Sequence, residues 1–357
     1  MSAKPASPRS LNDQQRSAHI REVVMARGNE LRQRYPVLNH QDAIGAGILA
    51  FALAGMLGSA LLYLNDQIAW WACLLLNAFF ASLTHELEHD LIHSMYFRKR
   101  KVPHNLMMAL VWMARPSTIN PWVRRHLHLN HHKVSGTETD LEERAITNGE
   151  PWGLARLLMV GDNVMSSLIR MGRAKTWAQK RSILWRTLKV YAPLALLNWG
   201  TWYVFVGFHA LDTLAWALNA PIAWSAGTLD AMNIVNIAVV VLVGPNVLRT
   251  FCLHFVSSNM HYYGDVELGN VIQQTQVLNP WWMWPLQAFC FNFGSTHAIH
   301  HFVVKEPFYI RQLTAPVAHR VMREMGVRFN DFGTFARANR WNPKGQVAEQ
   351  PAQPTLG

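Results

Sequence analysis

The stretch Thr84-His85-Glu86-Leu87-Glu88-His89-Asp90-Leu91-Ile92-His93 closes about forty residues of nearly uncharged sequence. On a helix, His85, His89 and His93 are four residues apart and share one face. A row of imidazoles at the mouth of a membrane span is costly unless something binds them. Two further clusters, His128-Leu129-Asn130-His131-His132 and His297-Ala298-Ile299-His300-His301, share a different spacing, His-x-x-His-His. The expectation is a scaffold that brings the three clusters together around metal.

Working outward, Ala43–Leu64 runs 22 residues without a charge, long enough to cross a hydrocarbon core. Asn65-Asp66 reads as a turn, and Gln67–Thr84 as a second span with Trp70 and Trp71 at an interface. Val190–Phe208 and Ala231–Leu248 are the third and fourth expected spans. Leu154–Met171 and Trp177–Leu188 mix apolar and basic residues at helical spacing, as helices lying on the membrane face do. Residues 281–293, with Trp281, Trp282 and Trp284, read as an interfacial or re-entrant piece. The expected fold class is an all-α polytopic membrane protein of about four transmembrane helices, with a cytosolic helical cap carrying the histidines. Its divisions are a basic N-terminal segment 1–41, an integral-membrane domain 42–338 and a loose tail 339–357.

Composition agrees. Half of the 357 residues are apolar, only 15% are charged, and there are 15 Trp and 15 Met. The net charge of +11 invites a nucleic-acid reading, but its distribution speaks for topology. Residues 1–41 carry 7 Lys and Arg, 85–189 carry 17 and 249–357 carry 9, which accounts for all 33. The expected spans and their far-side connections carry none. The positive-inside rule then puts both termini and all three clusters in the cytoplasm. Residues 1–41 lack the apolar core of a signal peptide, so no cleavage is expected; the first dozen, rich in Ser and Pro, and the tail past Trp341 are expected to be loose. Cys73, Cys252 and Cys290 show no ligand spacing, which excludes a disulfide framework and a zinc ribbon.

Positions i, i+3 and i+4 of a helix converge, so each His-x-x-His-His offers three ring nitrogens to one centre. Neutral imidazole suits Zn, Cu, Fe and Ni. Eight histidines exceed the four ligands of a tetrahedral zinc and suit two metals instead. Ligand histidines need the second ring nitrogen held, and Glu86, Glu88, Asp90, Asp140, Glu142, Glu143 and Asp265 stand near enough in sequence to do so. His93 and His126 lie beside the clusters but outside their spacing and read as supporting residues. His19, His40, His104, His209 and His319 have no partners in sequence.

This arrangement resembles the membrane fatty acid desaturase and alkane hydroxylase superfamily, recognised by three histidine boxes on the cytosolic side of a helical membrane domain. The boxes here are His85/His89, His128/His131/His132 and His297/His300/His301. The resemblance implies two non-haem iron ions, with O2 as co-substrate, bound almost wholly by histidine. It also implies one more ligand between the second and third boxes. His261, in His261-Tyr262-Tyr263-Gly264, is similar to the alkane hydroxylase branch and is favoured over His254. The implied activity is a membrane oxidoreductase acting on an unactivated C–H bond of a lipid chain. Fatty acyl desaturation comes first; a monooxygenase hydroxylating alkane, acyl or terpenoid chains is the alternative. No haem, ferredoxin-like or dinucleotide motif is present, so electrons are expected from a separate ferredoxin, rubredoxin or cytochrome b5 type donor with its reductase. The expected location is a bacterial inner membrane, and no nucleic-acid partner is expected.

Two rival readings remain. His85-Glu86-Leu87-Glu88-His89 is literally His-Glu-x-x-His, the zinc-metalloprotease signature with Glu86 as base. It leaves both His-x-x-His-His clusters unexplained. A haem carrier or metal transporter predicts histidines inside the spans, and these contain none.

Overall fold

A computed structural model describes residues 11–343. The expected loose ends fall almost wholly outside those residues. Within them the protein is all-helical, with two isolated bridges, His261 to Thr275 and Val277 to Phe329, pinning loops near the site.

Helix α1 (Asp13–Arg34) starts with a capping box, Asn12 accepting from the Gln15 N–H while the Gln15 side chain accepts from the Asn12 N–H. It buries Ile20, Val24 and Leu31, and Arg32 grips Glu306 with two bonds of 3.1 and 2.6 Å. Helix α2 (Gln41–Leu64) and helix α3 (Trp70–Ile92) form the expected hairpin, with Asp66 of the turn at φ 56°. They pack closely: a Cβ on Gly55 would lie 2.4 Å from the Phe80 ring. Phe51, Leu57 and Leu61 face outward from α2, as residues against lipid would.

Helix α3 changes character along its length. Trp70, Trp71, Leu75, Leu76 and Phe79 are exposed, whereas every residue from Ala81 to Ile92 is buried. The helix runs on past the expected span end at Thr84, as the shared face of the histidines requires, and carries His85 and His89 into the protein interior with half-buried His93 as its C-cap. Its acids are matched there by buried arginines. Glu88 pairs with Arg115 and with Arg124, while Arg311 reaches Asp90 at 2.9 Å and Glu86 at 3.4 Å.

Next come α4 (Lys101–Met113), α5 (Pro121–Val134) and the short α6 (Leu141–Ala145). Helices α7 (Leu154–Gly161), α8 (Asn163–Arg173) and α9 (Trp177–Tyr191) follow, with Leu154, Leu168, Trp177 and Trp185 exposed. The third expected span becomes α10 (Leu194–Ala217), displaced because Pro193 sits at its start. The fourth is part of a continuous helix, Ala226–Met260, of 35 residues. It is built of α11 (Ala226–Ala238), a π turn at Val239–Val243, and α12 (Gly244–Met260). Two helices are long and apolar enough to cross a membrane, Gln41–Leu64 and Ala226–Met260. Helices α3 and α10 are as long as α2 but more polar, α3 through its acids and α10 through Trp, Tyr, Asn and His209.

The π turn has a chemical cause. Pro245 has no N–H to give the Val241 carbonyl. The Asn77 amide of α3 takes its place at 2.7 Å, and Asn246 reaches the Leu242 and Ala114 carbonyls at 3.0 and 3.2 Å. Asn77 in turn accepts from the Ser59 hydroxyl of α2. One buried amide therefore joins three long helices. The chain finishes with α13 (Val271–Gln274), α14 (Trp284–Ala288), the fully buried α15 (Phe293–Phe302), α16 (Phe308–Glu324) and α17 (Gly333–Ala336). Trp281, Trp282 and Trp284 are exposed ahead of α15.

Asn77→Leu keeps the volume and orphans the Val241 carbonyl. We expect a loss of about 1–3 kcal/mol, read as a lower unfolding temperature in detergent. An unchanged midpoint would mean that the carbonyl finds another donor.

Candidate metal centre

Four elements deliver the histidines. Helix α3 supplies His89 and His93, α5 supplies His128, His131 and His132, and α15 supplies His297, His300 and His301. His261 is the residue at which α12 stops. That point is heavily fixed: Asn148 and Asn339 each donate to the His261 carbonyl at 3.0 Å, and buried Arg156 donates to Ser258 O at 2.8 Å and Asn259 Oδ1 at 3.0 Å.

The rings fall into two adjoining groups. His89, His93, His128 and His300 form the first, and His131, His261 and His301 the second, each with ligand atoms within 4.8 Å of one another. His132 adjoins the first group, its Nε2 standing 3.2 Å from His93, 3.2 Å from His128 and 3.0 Å from His300. The His93 and His128 Nε2 atoms are 3.0 Å apart. His297 adjoins the second group, with Nε2 at 3.2 Å from His261 and 3.3 Å from His301.

The opposite ring nitrogens decide what these contacts are. The Nδ1 of His128 donates to Glu142 at 2.8 Å and that of His131 to Asp140 at 2.8 Å. His261 Nδ1 donates to Ser257 O at 3.0 Å, and His301 Nδ1 to the Gln274 Oε1 at 3.0 Å. In a neutral ring whose Nδ1 carries the proton, Nε2 presents a lone pair. Several lone pairs thus converge at mutual distances that hydrogen bonds cannot satisfy, since a triangle such as His93, His128 and His132 lacks enough protons. Two imidazoles sharing an ion at ~2.0–2.1 Å stand roughly 3.0–3.4 Å apart, which is the separation found here. The His89 Nε2 and His131 Nε2 atoms are buried and have no hydrogen-bond partner. The donor set fits two cations bound by neutral imidazole.

Electrostatics divides the rings. Burial holds His132 and His301 well below the usual imidazole range and His261 down at about 4, keeping them neutral. Burial acts the same way on His131, but the hydrogen bond and charge of Asp140, then Glu143 and Glu142, carry it up to about 9. The carboxylates beside α5 therefore stabilise positive charge at His131, whether a second proton or a cation bound at Nε2.

Several sequence expectations change place. On α3 and its C-cap, His89 and His93 join the first group; His85 lies outside both groups, with Nδ1 3.5 Å from Arg115, its ring facing Phe293, and a buried Nε2 that has no hydrogen-bond partner. Sequence spacing alone cannot choose among three histidines on one face; the position of α5 against the end of α3 does. His261 is in the second group, while His254 hydrogen-bonds the Val160 backbone and His126 is exposed. Of the expected orienting acids, Asp140 and Glu142 hold rings, and Glu143 lies 3.5 Å from His261. Glu86, Glu88 and Asp90 serve arginines instead, and Asp265 accepts from the Trp341 and Asn342 N–H groups at 2.7 and 2.8 Å. Gln274 was not foreseen; it lies 27 residues before His301 with no local pattern to mark it. His104, His209 and His319 bond to Tyr96 O, Asn236 and Ser295 O, and His19 and His40 are exposed.

The sequence profile of the family described as fatty acid desaturase matches residues 68–333, a span that includes every ring of both groups. The chain belongs to the fatty acid desaturase family. The comparison with curated proteins returned no match. Membership in the desaturase family makes the protein an oxidoreductase, with a lipid substrate and a membrane setting. The family is known for non-haem iron, and the two histidine groups are what this desaturase-family chain offers to hold it.

Asp140→Asn keeps the shape of the His131 partner and removes its charge. We expect metal affinity to fall about 10–100-fold, measured by chelator competition on the purified protein. Parental affinity would assign Asp140 to folding alone.

Proposed function

We propose that this protein is an O2-dependent di-iron oxidoreductase that desaturates a fatty acyl chain at the membrane. The observation that carries the reading is the convergence of Nε2 lone pairs in two adjoining groups. The first iron falls to His89, His93, His128, His132 and His300, and the second to His131, His261, His297 and His301. Bound there, iron would activate dioxygen to remove hydrogen from an unactivated C–H bond. The protein's own work is positional. Asp140, Glu142, Gln274 and the Ser257 carbonyl fix ring tautomers, and buried apolar residues around α15 exclude water. A cavity of about 250 Å³ between Phe79, Trp284, Ala288, Phe291 and Gln312 lies just ahead of α15. Phe293 stacks on His297 with ring centroids 4.1 Å apart, and the proposed chain path runs from that cavity past Phe293.

The membrane part of the proposal keeps four spans, α2, α3, α10 and Ala226–Met260, under a cytoplasmic helical cap. Lys and Arg are absent from α2, α3 and α10, and the single Arg249 of Ala226–Met260 lies toward its cap end, which supports that orientation; the membrane is proposed to be a bacterial inner one. Electrons come from a separate ferredoxin, rubredoxin or cytochrome b5 type protein. The protease reading loses support because Glu86 faces Arg311 and His85 stands apart from the group that holds His89.

Two experiments test this. Metal analysis of the purified protein should find about two irons per chain; His93→Ala should lose at least one of them, and His85→Ala should keep both. Retention by His93→Ala with loss by His85→Ala would restore the first register of the box. Lipid mass spectrometry of a host supplying a reductase should find products two hydrogens lighter. Products one oxygen heavier would replace desaturation with hydroxylation on the same centre.

A further inference from the structure

Where α2 begins, the protein holds a cavity of about 580 Å³, walled by Asp42, Met95, Phe97, Arg98, Lys99 and Arg100. Its size lies within the roughly 300–1,000 Å³ typical of small-molecule sites. The loop that shapes it leaves α3 directly after His93. Ser94 and Phe97 both take left-handed backbone, φ 56° and 49°, and these two reversals lay the loop against α2. Phe97 then packs on the core while Arg98, Lys99 and Arg100 stay exposed. The Phe97 N–H donates to Asp42 Oδ1 at 2.7 Å, which pins the loop to the first turn of α2 and occupies one oxygen of the acid on the wall.

No described carboxylate pairs with Arg98, Lys99 or Arg100. Three cations therefore face one carboxylate that is already partly engaged. Helix α4 starts beside them at Lys101 without a side-chain cap, which adds to the positive potential. The rest of the wall is apolar, and Val102 and Leu106 of α4 are 80% and 59% exposed next to it. Solvation of a bare cationic loop accounts for the charges but not for an apolar-backed cavity beside exposed aliphatic side chains. Together these features match an amphipathic ligand with an anionic head.

We propose that this cavity binds a phosphate group, that of a membrane phospholipid. The guanidinium forks of Arg98 and Arg100 and the point charge of Lys99 supply the donors. Met95, Phe97 and the outer face of α4 receive the glycerol end. The site stands apart from the histidine centre and is independent of which oxidation the metals perform.

The test is native mass spectrometry of the full-length protein in detergent, with dioleoylphosphatidylglycerol, dioleoylglycerol or inorganic phosphate added. The parent should retain the phospholipid, bind dioleoylglycerol on the order of tenfold less, and keep the lipid in millimolar inorganic phosphate. R98Q/K99Q/R100Q should lose lipid by on the order of a hundredfold, from ~1 kcal/mol per cation. Ala43 also lines the cavity, and A43W, which fills it while leaving every cation, should show a similar loss. K175Q/R181Q/K189Q, which removes three exposed charges elsewhere, should bind like the parent. Equal loss in both triple variants would reduce the effect to surface charge and overturn the proposal. Full binding by A43W, or by dioleoylglycerol, would overturn it as well. Displacement by inorganic phosphate would leave a phosphate site and remove the phospholipid.

Discussion

Lone pairs on imidazole nitrogens repel when they are aimed at one another, and nine rings from four elements are aimed that way here. Without a cation between them, such an arrangement stands only if each ring is held from behind and the surrounding helices cannot move apart. The protein meets the first need for His128, His131, His261 and His301, while the Nδ1 atoms of His89 and His300 are buried without a hydrogen-bond partner. The Nδ1 partners come from a turn (Asp140), a short helix (Glu142), a loop helix (Gln274) and the α12 backbone (Ser257). The helices themselves are tied by buried polar groups, because apolar packing alone would let them slide.

Those ties are mostly arginines. Arg115, Arg156, Arg249 and Arg311 are among the largest side chains fully buried in the protein. Arg311 joins α16 to α3 through Asp90 and Glu86, and Arg115 and Arg124 join the α4–α5 region to α3 through Glu88. Removing one partner of such a pair leaves a bare charge inside the protein and costs about 3–5 kcal/mol. The same ties fix where α3 ends relative to α5, and so which histidines near its end meet those of α5. Asn77 does the corresponding work lower in the helices, where Pro245 opens the backbone.

The helices and the clustering of the histidines were legible in the sequence because they depend on local periodicity. An uncharged run, a turn pair and His-x-x-His-His all act within a few residues. His261 could be favoured over His254 from its neighbours, and the structure places it in a group. What sequence did not give depends on contacts between distant segments. His85, His89 and His93 are equivalent on an isolated helix, and the contacts of His93 with His128 and His132 arise only from the position of α5. Gln274 and His301 meet only through the fold. Arg311 counts in sequence as one more charge on the cytoplasmic side, yet it is an interior clamp. The helices also outrun the apolar runs for a related reason: apolarity stops at Thr84, but buried ion pairs accompany α3 to Ile92.

Helix α5 sends His128 to one group and His131 to the other, and α15 divides His300 and His301 in the same way. The three-residue step between His128 and His131 amounts to about 4.5 Å of rise along a helix. Two rigid rods thus act as the jaws of a caliper, setting the interval between the two positions by backbone pitch rather than by any bridging side chain. His89 and His93 on one flank and His261 on the other serve a single position each, so any adjustment of that interval falls to the end of α3 or to the turn after α12. Lengthening α5 by one residue between those two rings would reset the gauge without altering a single ligand.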